Sequence, residues 1–358
     1  MSFFSNLFIE MIQISLGQRE NISKVLTEED WKKVFSIAQK QAVVGFAFGA
    51  LESLVGQGQK IPQTLLLEWI GLSEQIKQRN RQVNQRCKDL GKLFADGGFR
   101  SCLLKGQGIA LYYYNPLCRQ CGDIDVWVEG DRSNVLSFIK SKRLEIGHVD
   151  IKHTDVKIFE DVPVEVHFIP TWFYNPFTNK KLQRWFKEQN EAQFSHSTEI
   201  GINTPTTAFN LVYVLIHIYR HLFDEGIGLR QLVDYYYILR HSTKKEREEA
   251  MKVLSSLRMK RFTGATMYAI QEVFNIDDNY LLRVPLKIEG QFLLREIMRA
   301  GNFGHYDDRN RHHHSRWANG IQNVKRNMRF VCRYPQEVCW MPVWKIWHWC
   351  WRKRRGYL

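Results

Sequence analysis

SCLLKGQGIALYYYNPLCRQCGDIDVWVEG, residues 101–130, is the stretch from which the fold is read. Its centre is Gly122-Asp123-Ile124-Asp125-Val126. Side chains alternate along an extended strand, so Asp123 and Asp125 share one face while Ile124, Val126 and Val128 pack on the other. Two carboxylates held side by side repel each other unless a cation lies between them. Hard oxygen donors in this arrangement suit Mg²⁺ bound together with a phosphate. For an isolated Asp-x-Asp the plain alternative is a turn or an exposed strand edge. Upstream, Leu103-Leu104 predicts a short buried strand, Lys105-Gly106 a turn, and Gln107 the start of a helix. A glycine between strand and helix lets backbone amides approach a phosphate at the positive helix end.

Strand, phosphate-cradling turn, helix and acidic strand, in that order, resemble the core of the DNA polymerase beta-like nucleotidyltransferase superfamily. Within it, Lys105-Gly106 and Arg119-Gln120-Cys121-Gly122-Asp123-Ile124-Asp125 resemble the Lys-Gly, helix, Arg-x-x-Gly-Asp-Ile-Asp pattern of an uncharacterised nucleotidyltransferase family of bacterial genomes. The resemblance is strongest over residues 103–168. It implies an α+β fold, with a small mixed β-sheet nucleotidyltransferase core flanked by N- and C-terminal helical regions. The wider superfamily has Gly-Gly or Gly-Ser in the phosphate turn; this chain has Lys105-Gly106, as the narrower family does.

A second strand supports the same reading. Residues 162–168 alternate, with Val162, Val164, Val166 and Phe168 facing inward and Glu165 and His167 together on the other face. The resemblance implies a third carboxylate on a later, neighbouring strand, which completes a metal site and can receive the proton of an attacking hydroxyl. Glu165 fits that place, with solvent exposure as its alternative, and His167 matches an acidic-x-His pattern of the family. Farther on, His217 and His221 lie four apart on one helix, and Arg230 and Asp234 four apart on the next. The family has a similar His-x-x-x-His helix followed by an Arg/Leu-rich stretch ending in Asp. This implies that His167, His217, His221, Arg230 and Asp234 position triphosphate or acceptor. The structural alternatives are histidines bonded to Asp234 or to backbone, and an Arg230–Asp234 ion pair. A zinc protease is not supported, because the first histidine lacks its neighbouring Glu and there is no convincing third ligand.

The reaction implied by the resemblance is transfer of a nucleotidyl group from an NTP to an acceptor hydroxyl, releasing pyrophosphate. Asp123, Asp125 and Glu165 are the expected catalytic residues and ligands of Mg²⁺, with Mn²⁺ as an alternative. Lys105, Gly106 and Arg119 are expected on the nucleotide phosphates. The acceptor stays open among a small molecule, a glycan-linked hydroxyl and a protein hydroxyl. Two other functions compete: a non-catalytic nucleotide-binding or membrane-surface scaffold, and an RNA-directed nucleotidyltransferase. Retention of three mutually repelling acids argues against the first. The lack of a recognisable RNA-binding module argues against the second.

The remainder of the 358 residues, 44% of the whole being hydrophobic, can bury a substantial core. The expected division is an N-terminal helical region at 1–97, the α/β core at 98–170, a C-terminal helical domain at 171–330 and a Trp-rich basic tail at 331–358. Thr27-Glu28-Glu29-Asp30 reads as a helix start, Pro62 as the start of a long helix ending at Gly97-Gly98, and Asp131 as the cap of another. Further strands are expected near 144–152 and 154–159, and a helix start at Thr204-Pro205. A net charge of +14 implies acidic partners: nucleotides, nucleic acid or an anionic membrane surface. No apolar stretch is long enough to span a bilayer and no signal-peptide pattern opens the chain, so the seven cysteines are expected as reduced thiols in the cytoplasm.

Cys118-x-x-Cys121 lacks the second pair of a structural zinc site, and no P-loop is present. His312-His313-His314 reads as an exposed loop, and Gly301-Asn302-Phe303-Gly304 resembles a signature of some family members. In the tail, Trp340, Trp344, Trp347 and Trp351 follow helical spacing ahead of Arg352-Lys353-Arg354-Arg355. That pattern fits peripheral contact with an anionic membrane, at the inner surface for a cytoplasmic protein, or docking on the protein's own core.

Overall fold

Thr27 begins the second helix by a reciprocal capping arrangement, as the sequence predicts. Its hydroxyl accepts from the Asp30 amide, and the Asp30 carboxylate accepts from the Thr27 amide, opening the helix Glu28–Lys40. In this computed structural model the described residues are 3–307, 309, 322 and 324–357. The expected histidine-rich loop at 312–314 lies outside them.

The long helix Gln63–Asp96 presents Val83, Cys87, Leu90 and Phe94 to a five-stranded sheet. The strands are β1 (Ser101–Leu104), β2 (Ile124–Val128), β3 (Glu145–Val149), β4 (His153–Lys157) and β5 (Val164–His167), in the order β1-β2-β5-β4-β3. β2 and β5 are parallel, and the other neighbours are antiparallel, so the sheet is mixed. Its lower face carries Leu103, Ile124, Val126, Val128, Val164, Val166 and Val156. These pack on the long helix and on Val135 and Ile139 of the helix Arg132–Ser141. Asp131 stands at the cap position of that helix, but its side chain makes no capping hydrogen bond.

The upper face is divided. Cys102, Leu104 and Trp127 join the larger helical core, where Trp127 meets Phe194 at 4.5 Å between ring centroids. The rest of that face is polar: the register pairs Asp125 with Glu165, and His167 with both Trp127 and His153. One-residue slippage of β5 would bury those polar groups and expose Val164 and Val166, so the hydrophobic pattern fixes the register. Over this polar half lies the largely apolar helix Thr207–Asp224, which brings His217 and His221 to the cavity. It starts two residues later than expected, where the Thr206 hydroxyl accepts from the Phe209 amide. N-terminal and C-terminal helices share a single core that runs from Leu7 and Trp31 through Phe209 to Met341.

Candidate active site

The two arms of the site come from neighbouring parallel strands. Asp123 lies just before β2, Asp125 lies within it, and Glu165 stands opposite Asp125 on β5. One oxygen from each of the three carboxylates falls within 4.8 Å of the others. They open into a cavity of 540 Å³ lined also by Lys105, Arg119, Lys152, His153, His217, His221, Arg230, Asp234 and Phe303. Cavities of this size hold nucleotide-sized ligands. Acidic floor and basic walls together complement a ligand that carries both phosphate and metal.

Asp125 is the most constrained of the three. Lys105 Nζ lies 2.8 Å from its Oδ1, and His167 Nε2 lies 2.9 Å from the same oxygen. Burial alone raises the pKa of the Asp125 carboxyl, but Lys105 and the His167 hydrogen bond outweigh it and hold the group ionised. Glu165 behaves alike: burial opposes ionisation, while His167 at 3.2 Å and Lys152 at 3.9 Å favour it and hold its carboxyl well below the usual range. Asp123 goes the other way, raised first by the charge of Asp125 and then by burial. Three acids with opposed environments share one ligand-sized space, and a divalent cation would relieve the repulsion on Asp123.

Lys105 has φ +51° and ψ −148°, backbone rarely adopted by a residue with a side chain, and Gly106 follows at φ +45°. The strained turn brings the ammonium onto Asp125. The expected helix after it is one short turn, Gly106–Ala110.

Both structural alternatives named for these side chains give way to other partners. Asp234 does not pair with Arg230: its carboxylate accepts from Arg119 Nε and Nη2, both at 2.8 Å, and from the Tyr113 hydroxyl at 2.6 Å. Arg119, the guanidinium expected on phosphate, thus forms a buried ion pair while lining the cavity. Arg230 instead donates to the Gln120 carbonyl at 2.8 Å, faces the Phe303 ring at 5.3 Å and lines the cavity. The histidine pair is not bonded to Asp234 either. His221 Nδ1 faces Glu225 at 3.3 Å, and the His217 and His221 rings meet edge to face at 4.2 Å between centroids.

Sequence reasoning missed Lys152, His153, Glu225 and Phe303 as cavity residues. Phe303 gives the Gly-Asn-Phe-Gly segment a physical role. A side chain on Gly228 would meet Asn302 Cα at 2.9 Å, so the backbones touch only because glycine is there, and Phe303 at φ +52° turns its ring toward His221. His153 faces Glu165 at 3.5 Å, and His153, Glu165 and His167 form a second donor set within 4.8 Å.

Burial, then the charge of Lys152, pushes His153 down to about 3. Between that value and the ordinary 6.5 the unfolded chain binds more protons, so stability contributed by neutral His153 is present above pH 6.5 and lost as pH falls. Urea unfolding at pH 7 and pH 5 should show wild type losing up to about 1.4 kcal/mol per pH unit relative to His153→Gln. Equal pH slopes in the two proteins would contradict the buried neutral imidazole.

The family described as uncharacterised nucleotidyltransferase matches residues 27–275 of the chain. Among solved structures, an antigenic nucleotidyltransferase-like protein from Paracoccidioides brasiliensis is similar at 13% identity and a TM-score of 0.36, over 58% of this chain and 96% of that one. No curated protein matches the chain.

Proposed function

The chain belongs to the uncharacterised nucleotidyltransferase family, and from that premise we propose that it moves a nucleotidyl group from an NTP to an acceptor hydroxyl with a divalent metal. The observation that carries this reading is the convergence of Asp123, Asp125 and Glu165 on one cavity whose walls also bear Lys152, Arg230, His217 and His221. All-oxygen donors suit Mg²⁺, with Mn²⁺ as the alternative. When bound there, a divalent ion neutralises charge on the phosphates. The protein's own groups supply the rest. Lys152 and Arg230 line the cavity and would face the phosphates as cations, and Lys105 holds Asp125 in its ionised form. The acceptor oxygen forms a bond to the α-phosphorus while the bond to the β-phosphate oxygen breaks, and pyrophosphate leaves with that electron pair. Glu165, held in orientation by His167, would receive the acceptor proton.

The test is calorimetric titration of each of the four NTPs into the protein with Mg²⁺, with Mn²⁺ and with neither. Binding of at least one NTP that requires metal is the expected result. Nucleotide binding that is indifferent to metal would favour a non-catalytic scaffold, and no binding of any NTP would overturn both.

A further inference from the structure

The tail helix Trp340–Arg354 has two apolar faces, and the fold uses one of them. Met341, Trp344 and His348 point inward. Trp344 stacks on Trp172 and meets Tyr174 edge to face, both at 5.3 Å, while His348 stacks on Trp344 at 4.5 Å. The tryptophan stripe read from the sequence is therefore split, with Trp344 docked and Trp347 turned away. The outward face is as apolar as the inward one. Val343, Ile346, Trp347 and Trp349 are 54%, 67%, 51% and 53% exposed. Val343, Ile346 and Trp347 follow the three- and four-residue spacing of one helical stripe.

That stripe is joined to a second helix. Trp340 meets Phe177, itself 73% exposed, edge to face at 6.1 Å. Phe177 stands in the first turn of Pro176–Phe194, whose exposed face then carries Lys180, Lys181, Arg184 and Lys187, interrupted by Glu188. At the far end of the tail helix Lys353, Arg354 and Arg355 are exposed as well. An apolar centre rich in tryptophan thus has cations at both ends. Apolar side chains enter the boundary between headgroups and acyl chains, tryptophan prefers that depth, and flanking cations meet anionic headgroups. No helix of the described residues is long and apolar enough to cross a membrane, so such contact would lie on the surface.

We propose that the outward face of the tail helix, together with Phe177 and the basic face of Pro176–Phe194, docks on an anionic bilayer surface. This goes beyond the nucleotidyltransferase reading and does not depend on it. The docked side has a link to the cavity. Trp172, on which Trp344 stacks, also lies 5.5 Å from Lys152 Nζ, and Lys152 faces Glu165. A bilayer on this face would therefore lie behind one wall of the cavity.

The experiment is co-sedimentation of the full chain with phosphatidylcholine vesicles and with vesicles containing phosphatidylglycerol, over a salt series, with tryptophan emission recorded. Two variants accompany wild type: Ile346→Glu with Trp347→Glu, and Lys180→Glu with Lys181→Glu and Arg184→Glu. All five positions are exposed, so thermal midpoints should match wild type and a loss of binding cannot be assigned to unfolding. The expected result is partition onto the anionic vesicles only, weakening with salt, with blue-shifted emission. The first variant should not partition, and the second should partition about a hundredfold more weakly. Failure of wild type to bind anionic vesicles, equal binding by all three proteins, or lipid-free dimerisation abolished by the first variant would overturn the proposal. So would binding of single-stranded RNA, lost in both variants, by a protein that ignores vesicles.

Discussion

Asp123→Asn and Asp125→Asn should shift stability in opposite directions while both remove metal-dependent nucleotide binding. Asp123 is exposed to the cavity and its carboxyl is raised, chiefly by the charge of Asp125. Its ionised form therefore favours the unfolded chain above the ordinary carboxyl range, and Asn should raise stability by less than about 1 kcal/mol, because water screens the repulsion. Asp125 is buried, and despite that burial its carboxyl is lowered by Lys105 and His167. Its contribution is present at neutral pH and is lost as pH falls through the lowered value. Asn at 125 leaves the Lys105 ammonium and His167 beside a neutral amide, a loss of roughly 3–5 kcal/mol. Either substitution deletes one anionic ligand, so transfer should fall on the order of a thousandfold or more. Urea unfolding at pH 7 reads the first difference, and calorimetry with the NTP identified on wild type reads the second. An Asp125→Asn protein with wild-type stability and intact metal-dependent binding would overturn the assignment of this site.

The floor of the cavity was legible in the sequence because a strand converts sequence parity into a face. Asp123, Asp125, Glu165 and His167 are each two residues from a partner, and the intervening valines and isoleucine require the opposite face to be buried. The strands and the helical flanks followed from the same alternation and from capping and glycine signals, whereas the mixed sheet was implied by the family resemblance. The walls were not legible. Lys152 and His153 reach Glu165 only through the pairing of β4 with β5, which no local pattern announces. Arg230 and Asp234 have ideal helical spacing, yet the carboxylate turns to a guanidinium 115 residues away. Spacing says which groups can meet, and competition in the folded interior decides which do. The tail shows the same limit. Tryptophans at helical spacing are a single stripe in sequence, but their helix is clamped along Trp344 and His348, which points Trp347 away from the body.

The Arg119–Asp234 pair should be the most costly single contact to break away from the acidic floor. Both side chains are 6% exposed, the two nitrogen–oxygen distances are both 2.8 Å, and Tyr113 donates to the same carboxylate. Burial opposes the charge on Arg119, and Asp234 more than compensates, so removing the carboxylate strands a guanidinium in the interior. Arg119→Ala or Asp234→Ala should each cost about 3–5 kcal/mol. Arg119→Met with Asp234→Leu should cost far less than the sum, because no unpaired charge is left behind. Tyr113→Phe removes a single neutral donor and should cost about 1 kcal/mol. The consequence for the site separates this pair from an ordinary structural one. The segment that leads into Asp123 is held by three contacts: Arg119 to Asp234, Arg230 to the Gln120 carbonyl, and the Asn80 amide to the carbonyls of Leu117 and Arg119. The Arg119→Met, Asp234→Leu protein should therefore fold with near-normal stability and still bind metal and nucleotide more weakly, since the loop loses one of its anchors. Urea unfolding and metal titration on the same preparations test both halves. If either single alanine variant costs less than about 1 kcal/mol, the pair is not the buried, uncompensated-charge case described here.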